Sequence, residues 1–102
     1  KPSILRLYGK GRVVHPRDPQ WQELHAHFPT IPGERQIILL DIESIMTTCG
    51  FAVPLYEYKG QRTLLPDWSC KMGEERLEEY RHERNQQSID GLPTYLEKEP
   101  QG

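Results

Sequence analysis

The chain has 102 residues and a net charge of -2, with 15 acidic side chains against 13 basic ones, so no broad basic surface argues for nucleic acid. Leu, Ile, Val and Phe supply 23 residues, enough for one folded domain and no more. The longest apolar run, Ile37 to Leu40, is too short to span a bilayer, no leader pattern opens the chain, and two cysteines make no disulfide framework, so a reducing, cytoplasmic setting is expected.

Ile4 to Val14 alternates in its first half and predicts a strand, with Leu5 and Leu7 on one face and Ile4, Arg6, Tyr8 and Lys10 on the other. Gly9 and Gly11 point to a bulge or a close backbone approach. The chain enters this strand almost at once, as it would if it began inside a domain. Asp18 as N-cap and Pro19 as first helical residue predict a helix to about His27, burying Trp21, Leu24 and Phe28. Pro29, Pro32 and Gly33 then make a loop. Arg35 to Thr48 is β-rich with an unbroken apolar middle, which suits a central strand covered on both faces. Phe51 to Tyr58 predicts a third strand, placed by Pro54 at an edge or bulge.

From Gln61 the pattern turns helical. One helix runs through Leu64 and Trp68 to a stop at Gly73, with Trp68 and Met72 at i, i+4 spacing. A second places Glu74, Glu75, Glu78 and Glu79 before Arg81, His82 and Arg84, in the order the helix macrodipole favours. Ser88 to Pro93 reads as a turn and residues 94–102 as a tail. Three strands cannot close a barrel, so the open edges call for strands from another chain or from outside this segment.

No catalytic constellation emerges from these residues. His25 and His27 stand about 200° apart on a helix and cannot chelate one ion, and no cysteine or carboxylate pair has zinc spacing, so no metal site is expected. Cys49 and Cys70 are too far apart for a redox pair. A buried, inert Cys49 is the plainer reading, against a thiol-dependent enzyme that would need a base beside it. The Tyr8 to Arg12 stretch has glycines around a lysine but lacks the phosphate-binding loop pattern. The acidic run after Gly73 has the character of a solvated helix face.

Three stretches, RLYGKGRVVHPRDPQW, RQIILLDIESIMTTCGFAVPLYEY and RHERNQQSIDGLP, in this order and spacing, resemble the pyridoxamine 5'-phosphate oxidase-like family, in its uncharacterised fungal and bacterial branch. The resemblance runs from about Ile4 to Pro93. It implies an α+β, mainly β fold: a split β-barrel of the FMN-binding type, of which residues 1–93 would be the C-terminal half with flanking helices. It implies FMN as cofactor at a homodimer interface, or a partner in the missing N-terminal half, and an oxidoreductase acting on a small molecule of unknown identity. Cofactor contacts are expected from Arg6 on the mixed strand face, from Thr48, Cys49 and Gly50 at the strand junction, and from Asn85 and Ser88 in the polar turn. Gly50 would permit a backbone turn there, and Cys49 would fill a small space. Catalytic residues are not assigned. The C-terminal tryptophan and arginine of true pyridoxamine phosphate oxidases have no match after Arg84, which argues against that substrate. The rival expectation is a non-catalytic dimerisation or interaction module that keeps the scaffold without flavin.

Overall fold

The structure, a computed structural model, describes residues 1–97. Two strands, β1 (Ser3–Val14) and β2 (Ile37–Cys49), form an antiparallel ribbon that pairs from Ser3 opposite Cys49 to Val14 opposite Ile37. Helix α1 (Trp21–His25) lies in the connection between them, and α2 (Leu64–Met72) and α3 (Glu74–Arg84) follow the ribbon. Strands and helices contribute 25 residues each, so the described chain is an evenly mixed α+β fold and not the mainly β one expected.

The ribbon contains one irregularity. Tyr8 stands opposite Ser44 but Gly9 stands opposite Ile42, which leaves Glu43 as the extra residue of a bulge. A Cβ on Gly9 would lie 1.9 Å from the Asp41 carbonyl oxygen, inside any possible contact, so only glycine fits. Gly11 has open space around it and carries no such constraint. The expected close approach is thus real and belongs to Gly9 alone.

Alternation along the ribbon sorts its two faces. One face carries Leu5, Leu7 and Val13 from β1 with Ile38, Ile42 and Ile45 from β2, and all six are exposed, Ile38 at 71% and Ile45 at 64%. The other carries Ile4, Arg6, Tyr8, Lys10 and Arg12 opposite a mixed set that includes Met46 and Thr48. Surface pairs there, Lys10 with Glu43 at 3.9 Å and Arg12 with Asp41 at 3.5 Å, contribute little. The expectation that β2 is covered on both faces therefore fails for this chain. Among the described residues its only strand neighbour is β1, and no layer packs over the apolar side.

The third strand is also absent. A turn closed by the Val53 N–H on the Gly50 carbonyl, 3.0 Å, leads the chain off the ribbon, and Pro54 then lacks a donor for any ladder. Phe51 to Tyr58 runs on without strand pairing, with Leu55, Tyr56 and Tyr58 at least 80% exposed. Helix α1 is shorter than its pattern predicts. The Asp18 carboxylate accepts from the His15 N–H at 2.7 Å, and the Asp18 N–H donates to the His15 carbonyl at 2.9 Å. Asp18 so closes a turn backwards, and the helix begins from Gln20 with no side-chain cap. Of the predicted stripe, Trp21 and Leu24 are half-buried and Phe28 is 57% exposed.

The helical pair follows its sequence more closely. Gly73, at φ +79°, ends α2 in a conformation that favours glycine, and α3 starts at once. Trp68 meets the edge of the Tyr80 ring at 5.5 Å and 74°, which ties α2 to α3. Leu77 and Ser69 are buried there. Polar contacts join this pair to the rest: Arg81 donates to the carbonyls of Gly33 at 3.2 Å and Glu34 at 3.1 Å, and Arg17 to those of Tyr95 at 2.6 Å and Leu96 at 2.9 Å. The residues expected as a tail are thus clamped as far as Leu96, and residues 98–102 lie outside the described residues.

Val14 and Leu77 are the only buried large apolar side chains among the described residues. The accessible surface is 9398 Å², where a compact protein of this mass exposes about 6,000 Å². The radius of gyration is 17.8 Å, against about 13 Å for a compact chain of this length. The ribbon needs cover that the described residues do not supply. Gly9→Ala is expected to destabilise the protein by about 2 kcal/mol or more, as forced overpacking against backbone does, while Gly11→Ala leaves stability within about 0.5 kcal/mol. Denaturant midpoints of the two variants, measured in the intact natural protein, check this difference.

Candidate functional site

The expected cofactor residues fall into two groups at opposite ends of the ribbon. Thr48, Cys49 and Gly50 lie where β2 ends beside Pro2 and Ser3, and Arg6 sits two pairs further in, opposite Met46. Asn85 and Ser88 lie beyond α3, and Asn85 lines a hollow together with Val13 and Arg35 at the other end. Nine residue steps separate Ile4, the partner of Thr48, from Val13, or about 30 Å of strand. One chain does not bring both groups to one small ligand.

In the first group, Arg6 and Thr48 share the mixed face as diagonal neighbours, about 7 Å apart at their Cα atoms. Arg6 has no ion pair or hydrogen bond among the described residues. The Thr48 hydroxyl is buried without a hydrogen-bond partner, a position that costs free energy unless something else satisfies it. Cys49 points to the opposite, apolar face and is exposed, so the expectation of a buried cysteine filling a small space is not met in this chain. No basic side chain is bonded to it. Gly50 is buried; its N–H donates to the Pro2 carbonyl at 2.9 Å, and a Cβ there would stand 3.2 Å from Pro2. Its smallness lets the two chain segments close together. It has none of the left-handed geometry that marks a glycine-only turn.

In the second group, Asn85 accepts from Arg35 Nη1 at 3.0 Å, and the Ser88 hydroxyl donates to the Asp90 carboxylate while accepting from the Leu92 N–H at 3.0 Å. That hydroxyl holds the Asp90 carboxyl below the usual range. Ser88 is thereby engaged within its own turn, and Asn85 with the loop before β2. Sequence reading missed the arginines around them. Arg35 and Arg81 line a hollow of about 340 Å³ with Trp68 and Tyr80, and no periodicity marks residues from a loop and two helices as neighbours.

A further polar contact stands beside α1. His25 stacks on Trp21 at 5.2 Å and bonds Glu34 at 2.9 Å, so it joins a loop carboxylate, not His27. The His25 ring holds the Glu34 carboxyl below its ordinary range, and the Ile31 N–H adds to this. Among the described residues no three His, Cys, Asp or Glu side chains gather where a metal could be held, and no helix is long and apolar enough to cross a membrane.

A curated relative aligns with most of the chain. The pyridoxamine 5'-phosphate oxidase family protein ustO of Aspergillus flavus is 32% identical to the chain over 109 aligned residues, which cover 90% of it. The chain is a homologue of a pyridoxamine 5'-phosphate oxidase family protein. It spans 43% of that relative's length, less than half, as a half-length counterpart of such a protein would. No family model matches the chain, and no solved structure matches it significantly.

The Glu34 contact sets one pH dependence for the chain. A carboxyl lowered in the folded state stabilises the loop above its unfolded value of 4.5, and that contribution is lost as the pH falls through the lower folded value. Carboxyl NMR is expected to give Glu34 a midpoint below 4.5 that moves back toward 4.5 in His25→Ala. An unchanged midpoint in that variant would remove His25 as the cause.

Proposed function

We propose that the chain is the C-terminal part of an FMN-binding, oxidoreductase-like protein with a split-barrel fold, acting on a small molecule. The observation that carries this reading is the 32% identity to a pyridoxamine 5'-phosphate oxidase family protein over nearly the whole chain. Two structural features support it. The uncovered apolar face of the ribbon and its two open edges suit further barrel strands from the N-terminal part or from a second copy in a homodimer. On the other face, Arg6 has unused donors and Thr48 a buried, unsatisfied hydroxyl, and both fit one wall of a site for a polar, anionic or electron-rich group.

When bound, FMN would supply the electron transfer. This chain's residues would hold and orient it: Arg6 by charge and forked hydrogen bonds, Thr48 by its hydroxyl, Gly50 by keeping the junction close-packed. Asn85 and Ser88 would have to act on a different copy's site, because they lie at the far end of the ribbon. That separation favours the second reading, a dimerisation or interaction module that keeps the scaffold and binds no flavin.

The test is titration of the intact natural protein with FMN, followed by quenching of flavin fluorescence. Saturable binding is expected, weakened about tenfold or more in Arg6→Gln, the loss of a charge-assisted contact. A protein that forms stable dimers but leaves FMN fluorescence unchanged supports the scaffold reading and ends the flavin one.

A further inference from the structure

The hollow between the helical pair and the loop before β2 is separate from the Arg6 and Thr48 wall. Gly33, at φ +82°, presses its backbone against α2 so closely that a Cβ there would stand 2.6 Å from the Ser69 hydroxyl oxygen, and this contact fixes the loop as one wall. Two guanidinium groups enter from that side and from α3. Arg81 spends its Nη2 on the Gly33 and Glu34 carbonyls, and Arg35 spends its Nη1 on Asn85, all neutral acceptors. A guanidinium has five N–H donors, so each keeps donors in hand and neither is paired with a carboxylate among the described residues. Apolar and aromatic side chains line the same hollow: Trp68 and Tyr80 with their rings at 74°, and the exposed Leu65.

We infer that this hollow binds a small aromatic carboxylate, its oxygens on Arg35 and Arg81 and its ring against Trp68 and Tyr80. Arginines in contact with no carboxylate among the described residues, beside aromatic rings, match a ligand with one planar anionic end and one flat apolar end. The volume of about 340 Å³ admits a ligand of one or two rings. Glu78 and Glu97 line the adjoining hollow on the other side of the same two arginines. Their negative field favours a monoanion over a doubly charged phosphate. The assignment stands whether or not flavin binds, since it uses none of the residues on the Arg6 wall.

Calorimetric titration of the intact natural protein with benzoate, benzamide and phenyl phosphate tests it. Benzoate is expected to bind with a dissociation constant on the order of 1 mM, as suits so small a ligand, and its binding should weaken as salt rises. Benzamide, the same shape without the charge, should bind at least tenfold more weakly, and phenyl phosphate more weakly than benzoate. Arg35→Gln should lose tenfold or more in benzoate affinity. Leu65→Glu, a change at an exposed rim position that leaves the fold intact, should weaken benzoate by like-charge repulsion while sparing benzamide. The inference is overturned if benzoate fails to saturate, if benzamide binds as well, if phenyl phosphate binds more tightly, or if neither variant changes benzoate affinity.

Discussion

Everything in this chain hangs on the pairing of β1 with β2, and that pairing depends on one close approach. At the bulge the backbone of Gly9 comes so near the Asp41 carbonyl that no side chain fits between them. The bulge absorbs Glu43 and keeps the alternation in step on both sides of it. Leu5 and Leu7 before it, and Val13 after it, therefore point the same way as Ile45, Ile42 and Ile38. A slip of one residue would scatter these side chains across both faces, so the glycine protects the sorting of polar from apolar along the whole ribbon.

That sorting creates a demand the described residues do not meet. A two-stranded ribbon is marginal in water by itself, and this one leaves its apolar face open. The two helices that could have covered it pack on each other through Trp68, Tyr80 and Leu77 and attach beside the end of the ribbon. Their attachment is polar. Arg81 and Arg17 grip main-chain carbonyls, and Arg35 grips Asn85. Contacts of this kind contribute about 1 to 3 kcal/mol each where they are shielded and less where water competes. They fix where the helices sit without supplying the core that the ribbon lacks.

What was legible in the sequence was local. The Leu5 and Leu7 face, the glycine at the bulge, the stop at Gly73 and the acid-to-base order of α3 all follow from neighbours within a few residues, and all stand in the structure. The failures needed information from further away. Phe51 to Tyr58 has strand composition, but a strand exists only with a partner, and the turn after Gly50 takes this one off the ribbon. Asp18 has the right chemistry for an N-cap but finds the His15 amide first. Nothing in the sequence places a base beside Cys49, which makes a buried, inert thiol the plainer reading, yet the apolar run before it is covered only at its Ile37 end and Cys49 is exposed. The cluster of Arg35 and Arg81 unites residues 46 positions apart, which no local pattern could announce.

The two ends of the ribbon also limit how a cofactor could be held. Thr48 and Asn85 are separated by about 30 Å of strand, longer than any contact a single small molecule makes across a site. If both belong to cofactor binding, they serve it from different copies, with the Thr48 end of one chain beside the Asn85 end of another. If they do not, the polar turn after α3 is architectural. Its bonds fit that role, since Ser88 is occupied by Asp90 and Leu92 within the turn and Asn85 by Arg35 from the loop before β2. Arg6 and Thr48 differ in kind: one has unused donors and the other a hydroxyl with nothing to bond. Unsatisfied groups on the face opposite the apolar one are where an outside partner has most to gain, which places the weight of the flavin reading on that wall.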